Sequence, residues 1–383
     1  MDTHTFPDLC PRMDRNTDSQ SSSVLEALTA RGFFVSLEGA CWCRQYEDKI
    51  LPQRSQMSSK SSSTIGISSH TRDMGDNMTS VTEFVLLGFP LDTTIQLFLF
   101  GLFSLFFAFT LLGNGAILGL ISLDSRLHTP MYFFLSHLAI VDVAYACNTV
   151  PQMLLNLLSP AKPISFAGCM TQTFLFLTFA VTECLLLVVM SYDRYVAICC
   201  PLRYSAIMSW RVCITLVVIC WTIGVLLSSI HLVLLLPLPF CISQKINHFF
   251  CEIMAVLKLA CADTHINEIM VLAGAISVLV GPFSSIVISY MCILCAILRI
   301  QSGENQRKAF STCSSHLCVV GLFYGTAIIM YVGPRYGHPK EHKKYLLLFH
   351  SLFNPMLNPL IYTLRNSEVK NALKRVLGIE GAL

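Results

Sequence analysis

Charge is what this chain has least of. Asp, Glu, Lys and Arg make up 13% of its 383 residues, against roughly 25% in soluble domains. With 54% hydrophobic residues and a mean hydropathy of +0.61, a water-soluble globule is excluded. The formal net charge is only +3 and no block of basic residues occurs, which removes nucleic acid as a partner. No apolar segment follows a positive start near Met1, so a secretory signal peptide is not expected. The two halves show no internal repeat, which weakens the alternative of a polytopic membrane transporter. No Ser/His or paired-Asp arrangement with hydrolase flanks is present, so the chain is not read as an enzyme.

What remains is apolar length. A bilayer core about 30 Å thick needs about 20 apolar residues per helix. Seven runs meet this: Ile95–Leu123, Met131–Leu158, Ile164–Val189, Val212–Leu238, Ile269–Leu298, Ala309–Val332 and Tyr345–Leu364. Runs this long without alternation satisfy their backbones only as helices. The expected fold is therefore an all-α membrane protein, a seven-transmembrane helix bundle. Ser367 to Leu377 reads as a short amphipathic helix on the inner leaflet, with Val369, Leu373, Val376 and Leu377 on one face and Lys370, Lys374 and Arg375 on the other.

Residues 1–73 are polar and Ser-rich and read as a disordered N-terminal extension. Met74 opens a second possible start, which makes residues 74–383 the seven-transmembrane domain. Whether residues 1–73 are an upstream addition or a genuine tail stays open. Basic residues mark the inner side: Arg126, Arg203, Arg211, Arg299, Arg307, Lys308, Arg365, Lys370, Lys374 and Arg375. Arg335, Lys340, Lys343 and Lys344 dissent in the last outer loop. The orientation expected is an extracellular N-terminus and a cytoplasmic C-terminus. Asn77-Met78-Thr79 is an acceptor triplet for N-glycosylation on the outer side.

Ionisable groups inside the membrane are costly and mark function. Asp142 in the second run and Glu183 in the third lie at similar depth, about 17 Å of helical rise from the inner boundary. Two carboxylates so placed cannot both ionise in a low dielectric. Either one holds a proton, or a cation such as Na⁺ sits between them, or the pair is structural and faces Asn114 and Asn358. Arg194, between Asp193 and Tyr195 at the inner end of the third run, is read as a switch rather than a snorkelling base. His248, Cys251 and Glu252 could be read as a metal site, but a disulfide would consume Cys251, and no metal is expected. Most of the seventeen cysteines lie in apolar runs as small buried thiols.

Several motifs together resemble one family. They are Leu127-His128-Thr129-Pro130-Met131-Tyr132-Phe133-Phe134-Leu135-Ser136, Met190-Ser191-Tyr192-Asp193-Arg194-Tyr195-Val196-Ala197-Ile198-Cys199, Ser289-Tyr290, Lys308-Ala309-Phe310-Ser311-Thr312-Cys313-Ser314-Ser315-His316-Leu317, and Pro355-Met356-Leu357-Asn358-Pro359-Leu360-Ile361-Tyr362. In this order and at these membrane depths, the chain from Asn77 onward resembles the vertebrate odorant receptors, rhodopsin-like G-protein-coupled receptors. It departs from them in the N-terminal extension and in Cys200, where the family more often has His.

The resemblance implies a plasma-membrane receptor for small volatile odorants that activates an olfactory stimulatory heterotrimeric G protein and raises cAMP. It implies disulfides Cys169–Cys251 and Cys241–Cys261, although spacing alone leaves the pairing of four cysteines open. It places G-protein coupling on Asp193, Arg194, Tyr195, Tyr290, Lys308 and Tyr362, with Asp193 holding Arg194 in the silent state. A ligand chamber is expected between the outer halves of the third, fifth, sixth and seventh helices. Phe176, Leu177, Ala180, Val181, Tyr324 and Tyr331 would line it, with Ala275, Ser277 and Leu279 as fifth-helix candidates. On these bounds no Asp, Glu, Lys or Arg falls in those outer halves, so the chamber is expected to suit small, neutral, mostly apolar molecules.

Overall fold

Seven long helices account for the apolar runs in the computed structural model, which describes residues 82–88, 92–159, 163–241, 243–299, 303–331, 340–365 and 367–376. The extension before residue 74 and Asn77 lie outside the described residues. The helices are α1 Thr93–Leu123, α2 Pro130–Leu158, α3 Phe166–Cys199, α4 Trp210–Leu235, α5 His265–Leu298, α6 Gly303–Tyr331 and α7 Lys340–Arg365. A shorter helix, α8 Ser367–Val376, follows. Among the described residues six helices are long and apolar enough to cross a membrane. The remaining long helix, α7, carries the buried polar residues His350, Ser351, Asn354 and Asn358, which lower its apolarity.

Several ends run past the hydropathy reading, although α4 stops at Leu235, short of Leu238. Helix α3 does not stop at Val189 but runs on to Cys199, so Asp193-Arg194-Tyr195 sits within it. Helices α5, α6 and α7 each begin several residues before their apolar runs. Backbone hydrogen bonding continues beyond the bilayer, where polar side chains are cheap.

Two prolines shape the packing through the hydrogen bonds they delete. Proline has no N–H, so the carbonyl four residues earlier loses its helical donor. Pro359 frees the carbonyl of Pro355, and Asn114 of α1 donates its amide to that oxygen at 3.0 Å. The helices meet closely here: a Cβ on Gly113 would lie 3.0 Å from Pro359 Cγ. Pro282 in α5 frees the carbonyl of Val278, and the Cys184 thiol of α3 donates to it. Between α3 and α4 the contact is tighter still, since a Cβ on Gly224 would come within 2.4 Å of Thr182 Oγ1.

Over the outer end lies a small sheet the sequence did not announce. Its strands are β1 Glu83–Leu86, β2 Pro163–Ser165 and β3 Lys245–Ile246, ordered β2-β1-β3. Strand β1 pairs antiparallel to β2 and parallel to β3. Phe84, Leu86 and Ile246 are buried beneath it with Cys169, Cys251 and Phe240, forming an outer core.

At the inner end α8 folds back on the bundle. Val369 and Ala372 are buried against protein, while Leu373 and Val376 are exposed. The single apolar face expected from the sequence is thus split in two. Glu368 accepts from Tyr132 OH at 2.6 Å, and Arg375 Nε donates to Asp124 at 2.9 Å. The Arg375 guanidinium holds the Asp124 carboxyl below its usual range, helped by the Arg126 backbone amide.

Candidate functional site

Three layers of polar and aromatic side chains run down the inside of the bundle. The middle layer holds the carboxylates. Asp142 and Glu183 are both buried, at 0% and 2% exposure. Asn358 Nδ2 donates to both oxygens of Asp142, 3.1 Å each, and is a hydrogen-bonding neighbour of Glu183 as well. Glu183 Oε1 has no hydrogen-bond partner. A buried oxygen without a donor calls for a proton or a cation, and an all-oxygen set suits a hard ion such as Na⁺. Asn114 does not join this set. Its amide bonds to Thr110 O and Pro355 O instead.

The inner layer centres on Arg194. Asp193 is buried, and its Oδ1 accepts from Tyr204 OH at 2.7 Å. Among the described residues no ion pair joins Asp193 to Arg194, so the expected clasp between these neighbours is replaced by a bond to the following loop. Helical geometry explains this: adjacent side chains point about 100° apart. Arg194 Nε has no hydrogen-bond partner. Its charge faces Tyr290, Tyr362, Cys313 and His316. Tyr290 OH bonds His316 Nδ1 at 2.7 Å with the rings stacked. Tyr195 flanks the group, its ring stacked on Tyr192 at 6.4 Å. Nothing is described of the Lys308 side chain.

The outer layer is aromatic. Phe176 is buried between Tyr145 and Phe250, each with ring centroids 5.0 Å away. Leu177 packs partly buried against the outer core. Ala180 and Val181 are half-buried one turn below. Tyr324 is fully buried, donates to Cys184 O at 2.9 Å and lies against Phe283 and Phe323. Of the fifth-helix candidates, Leu279 is buried, but Ser277 is exposed and bonds back to Ala273 O, so it faces outward. The Tyr331 side chain lies outside the description.

The outer loop that carries Phe250 is fixed to α3. Cys169 is joined to Cys251, and Cys241 to Cys261. Cys251 N donates to Gln172 Oε1 at 2.8 Å, and Thr173 Oγ1 donates to Cys251 O. Glu252 caps a short helix, Ile253–Leu257, by accepting from Ala255 N. Burial pushes the Glu252 carboxyl up, against those backbone bonds. His248 is pushed down to about 3 by burial and by the nearby Lys344 ammonium.

Phe250, Tyr145, Cys184 and Tyr204 were not among the sequence candidates. Phe250 carried a signal in its place beside Cys251, and Tyr204 in the Pro201-Leu202-Arg203-Tyr204 run that follows Arg194.

A seven-helix membrane bundle with a buried carboxylate pair, an arginine at the inner end of α3 and a capped aromatic outer half defines the class. The family model described as Olfactory receptor matches residues 103–379. Olfactory receptor 2A7 of Mus musculus is 83% identical over 310 residues, covering 81% of this chain and all of that protein. Olfactory receptor 2A4 of Homo sapiens matches to the same extent, 83% over 310 residues. A crystal structure of squid rhodopsin shares the fold at a TM-score of 0.59 and 17% identity, covering 77% of this chain and 90% of that one. The chain belongs to the olfactory receptor family and is a multi-pass membrane protein. The transporter alternative finds no support among these likenesses.

Proposed function

We propose that this odorant receptor takes small, neutral, mostly apolar volatiles into the chamber around Phe176 and Tyr324. It signals from Arg194 to a stimulatory heterotrimeric G protein of the olfactory type, raising cAMP. The reading places it in the plasma membrane with residues 74–383 as the receptor domain, its N-terminus outside, Asn77 glycosylated and α8 on the inner lipid surface. The observation that carries it is Arg194: a guanidinium at the inner end of α3 with its Nε unbonded and its charge among Tyr290, Tyr362 and His316. Such a buried, unsatisfied donor has a bond to give once movement of the neighbouring helices exposes it to an acceptor from outside the chain.

Other features support it. Leu202, on the loop after α3, is 100% exposed, an apolar side chain in want of a partner. Arg299 and Arg307 are exposed at the inner ends of α5 and α6. Phe176 packs between the rings of Tyr145 and Phe250, and Tyr324 against Phe283, Phe323 and the Cys184 thiol, which suits mostly apolar ligands oriented by a few hydroxyls. Asp142 and Glu183 would hold a Na⁺ ion, which would offset one of the pair's two charges in the silent arrangement, while the Asn358 amide hydrogen-bonds the carboxylates. Odorant binding would shift the population by no more than its preference for the active arrangement.

The test is expression with an olfactory G-protein α-subunit and a cAMP readout against an odorant panel. Arg194→Ala is expected to abolish the response while leaving surface delivery intact. A response that survives the substitution refutes the coupling role.

A further inference from the structure

Lys344 is an anomaly for a receptor of neutral ligands: a base in the second turn of α7, 5% exposed, at the outer end of the bundle. Its contacts explain where it is held. Nζ donates to Gly88 O at 2.7 Å and to Asn247 Oδ1 at 2.9 Å. It also sits over the Phe249 ring, 4.8 Å from the centroid. Gly88 adopts φ 59°, a left-handed conformation that favours glycine. Its N–H is bonded back to His248 O at 3.2 Å, so the β1 end, the outer loop and α7 meet at one ammonium.

From there an unbroken chain of contacts leads to the proposed chamber. His248 lies edge-on to Phe249 and Phe250, centroids 5.6 and 4.7 Å away. Phe250 lies on Phe176, and Phe176 on Tyr145. The disulfide at Cys251 fixes the loop's far side to α3. Its near side, Asn247 to Phe249, is fixed to α7 through Lys344. Phe250 is therefore held over Phe176 from both ends.

We propose that Lys344 is a positioning residue for ligand selectivity: by fixing Asn247 and Phe249 it sets how far Phe250 descends on Phe176, and so the length of ligand the chamber accepts. The inference rests on the ligand-chamber reading above and deepens it. Lys344 touches no ligand. A buried ammonium is costly unless its donors are used, so its placement is restricted to geometries that keep the acceptors at Gly88 and Asn247. That restriction makes the roof height definite rather than variable.

The experiment is a dose–response series of straight-chain alcohols from pentanol to nonanol, read as cAMP and normalised to surface receptor. Lys344→Met keeps the length and loses the donors. It is expected to move the ratio of half-maximal concentrations about ten-fold in favour of the longer alcohols, since one methylene in an apolar pocket is worth about 10–200-fold. Lys344→Arg, which retains donors, should keep the wild-type ratio. Phe250→Ala should reproduce the shift and should not add to Lys344→Met.

A purely structural role would lower all maximal responses together and leave the ratio alone. If Lys344→Met is not delivered to the surface, Asn247→Ala, which leaves the Gly88 bond in place, makes the same test. An unchanged ratio in delivered receptor overturns the proposal while the chamber reading stands. A wild-type receptor deaf to every alcohol and to the wider odorant panel sinks the chamber reading, and this proposal with it.

Discussion

Asn114→Leu is expected to destabilise the receptor, and only because residue 359 is proline. Asn114 is 1% exposed and makes two hydrogen bonds, both through Nδ2 at 3.0 Å. Thr110 O, the first acceptor, keeps its helical N–H when the amide is removed. Pro355 O, the second, has no helical donor because residue 359 lacks one. Leucine at 114 therefore strands one buried carbonyl. A stranded buried acceptor costs about 1–3 kcal/mol, while interhelical hydrogen bonds in membranes average about 0.6 and reach about 1.7. The expected cost is about 1–2 kcal/mol, a factor of about 5–30 in the folded ratio.

Pro359→Ala restores an N–H that can reach Pro355 O, so Asn114→Leu should be close to neutral in that background. The assay is a double-mutant cycle on fluorescently tagged receptor, reading the fraction that stays monomeric in detergent after a heat step. If Asn114→Leu costs the same in the Pro359→Ala background as in the wild type, the proline-defect explanation of this α1–α7 contact is wrong.

Two further predictions concern stability. Gly224→Ala would put a Cβ 2.4 Å from Thr182 Oγ1 and 2.9 Å from Thr178 O. The hydroxyl can rotate away, giving up its 2.7 Å bond to Thr178 O, but the backbone carbonyl cannot move. Helices α3 and α4 must part, at about 1–3 kcal/mol; heat survival equal to wild type would show that they do not. Acidification should loosen the outer cap through His248. Its folded value of about 3 lies below its ordinary 6.5, so the unfolded cap binds more protons. That contribution is whole above pH 6.5 and drains away as pH falls toward about 3. At pH 5 the loss is about 2 kcal/mol. His248→Gln should flatten the dependence of heat survival between pH 7 and pH 5 (roughly the span over which the unfolded imidazole charges), and an unaltered slope would exonerate His248.

The seven spans were legible because lipid imposes a coarse requirement, a long apolar run, that composition cannot hide. Their ends were not legible. Hydropathy reports where lipid stops, whereas α3 continues to Cys199 and α7 begins at Lys340 because backbone bonding continues into water. Asp142 and Glu183 stood out as acids in apolar runs, but the partner of Asp193 did not. Tyr204 reaches it from the next loop, a relation set by the turn after Cys200 rather than by any local period. Ser277 misled because a hydroxyl on a lipid-facing helix satisfies itself on its own backbone, here Ala273 O, and so gives no sign of direction. The outer sheet was invisible for another reason. Its strands have two to four residues, drawn from parts of the chain far apart, and so carry no periodicity.

The prolines connect these layers. Pro282 frees Val278 O, and the thiol that takes it, Cys184, is also in contact with Tyr324 OH beside the proposed chamber. Pro359 frees Pro355 O to Asn114, and the residue before it, Asn358, holds Asp142. One turn further along α7, Tyr362 faces Arg194. At each kink a backbone bond has been replaced by a side-chain bond from a neighbouring helix. Such a bond can be exchanged without unwinding the helix, unlike the backbone bonds on either side. A helix that bends at these points would disturb the surroundings of Tyr324, the carboxylate pair and the surroundings of the guanidinium while its own ladder stays intact. In the proposed receptor mechanism the link between the outer and inner faces would run through two missing N–H groups, and the Asn114–Pro359 cycle measures the bond that stands in for one of them.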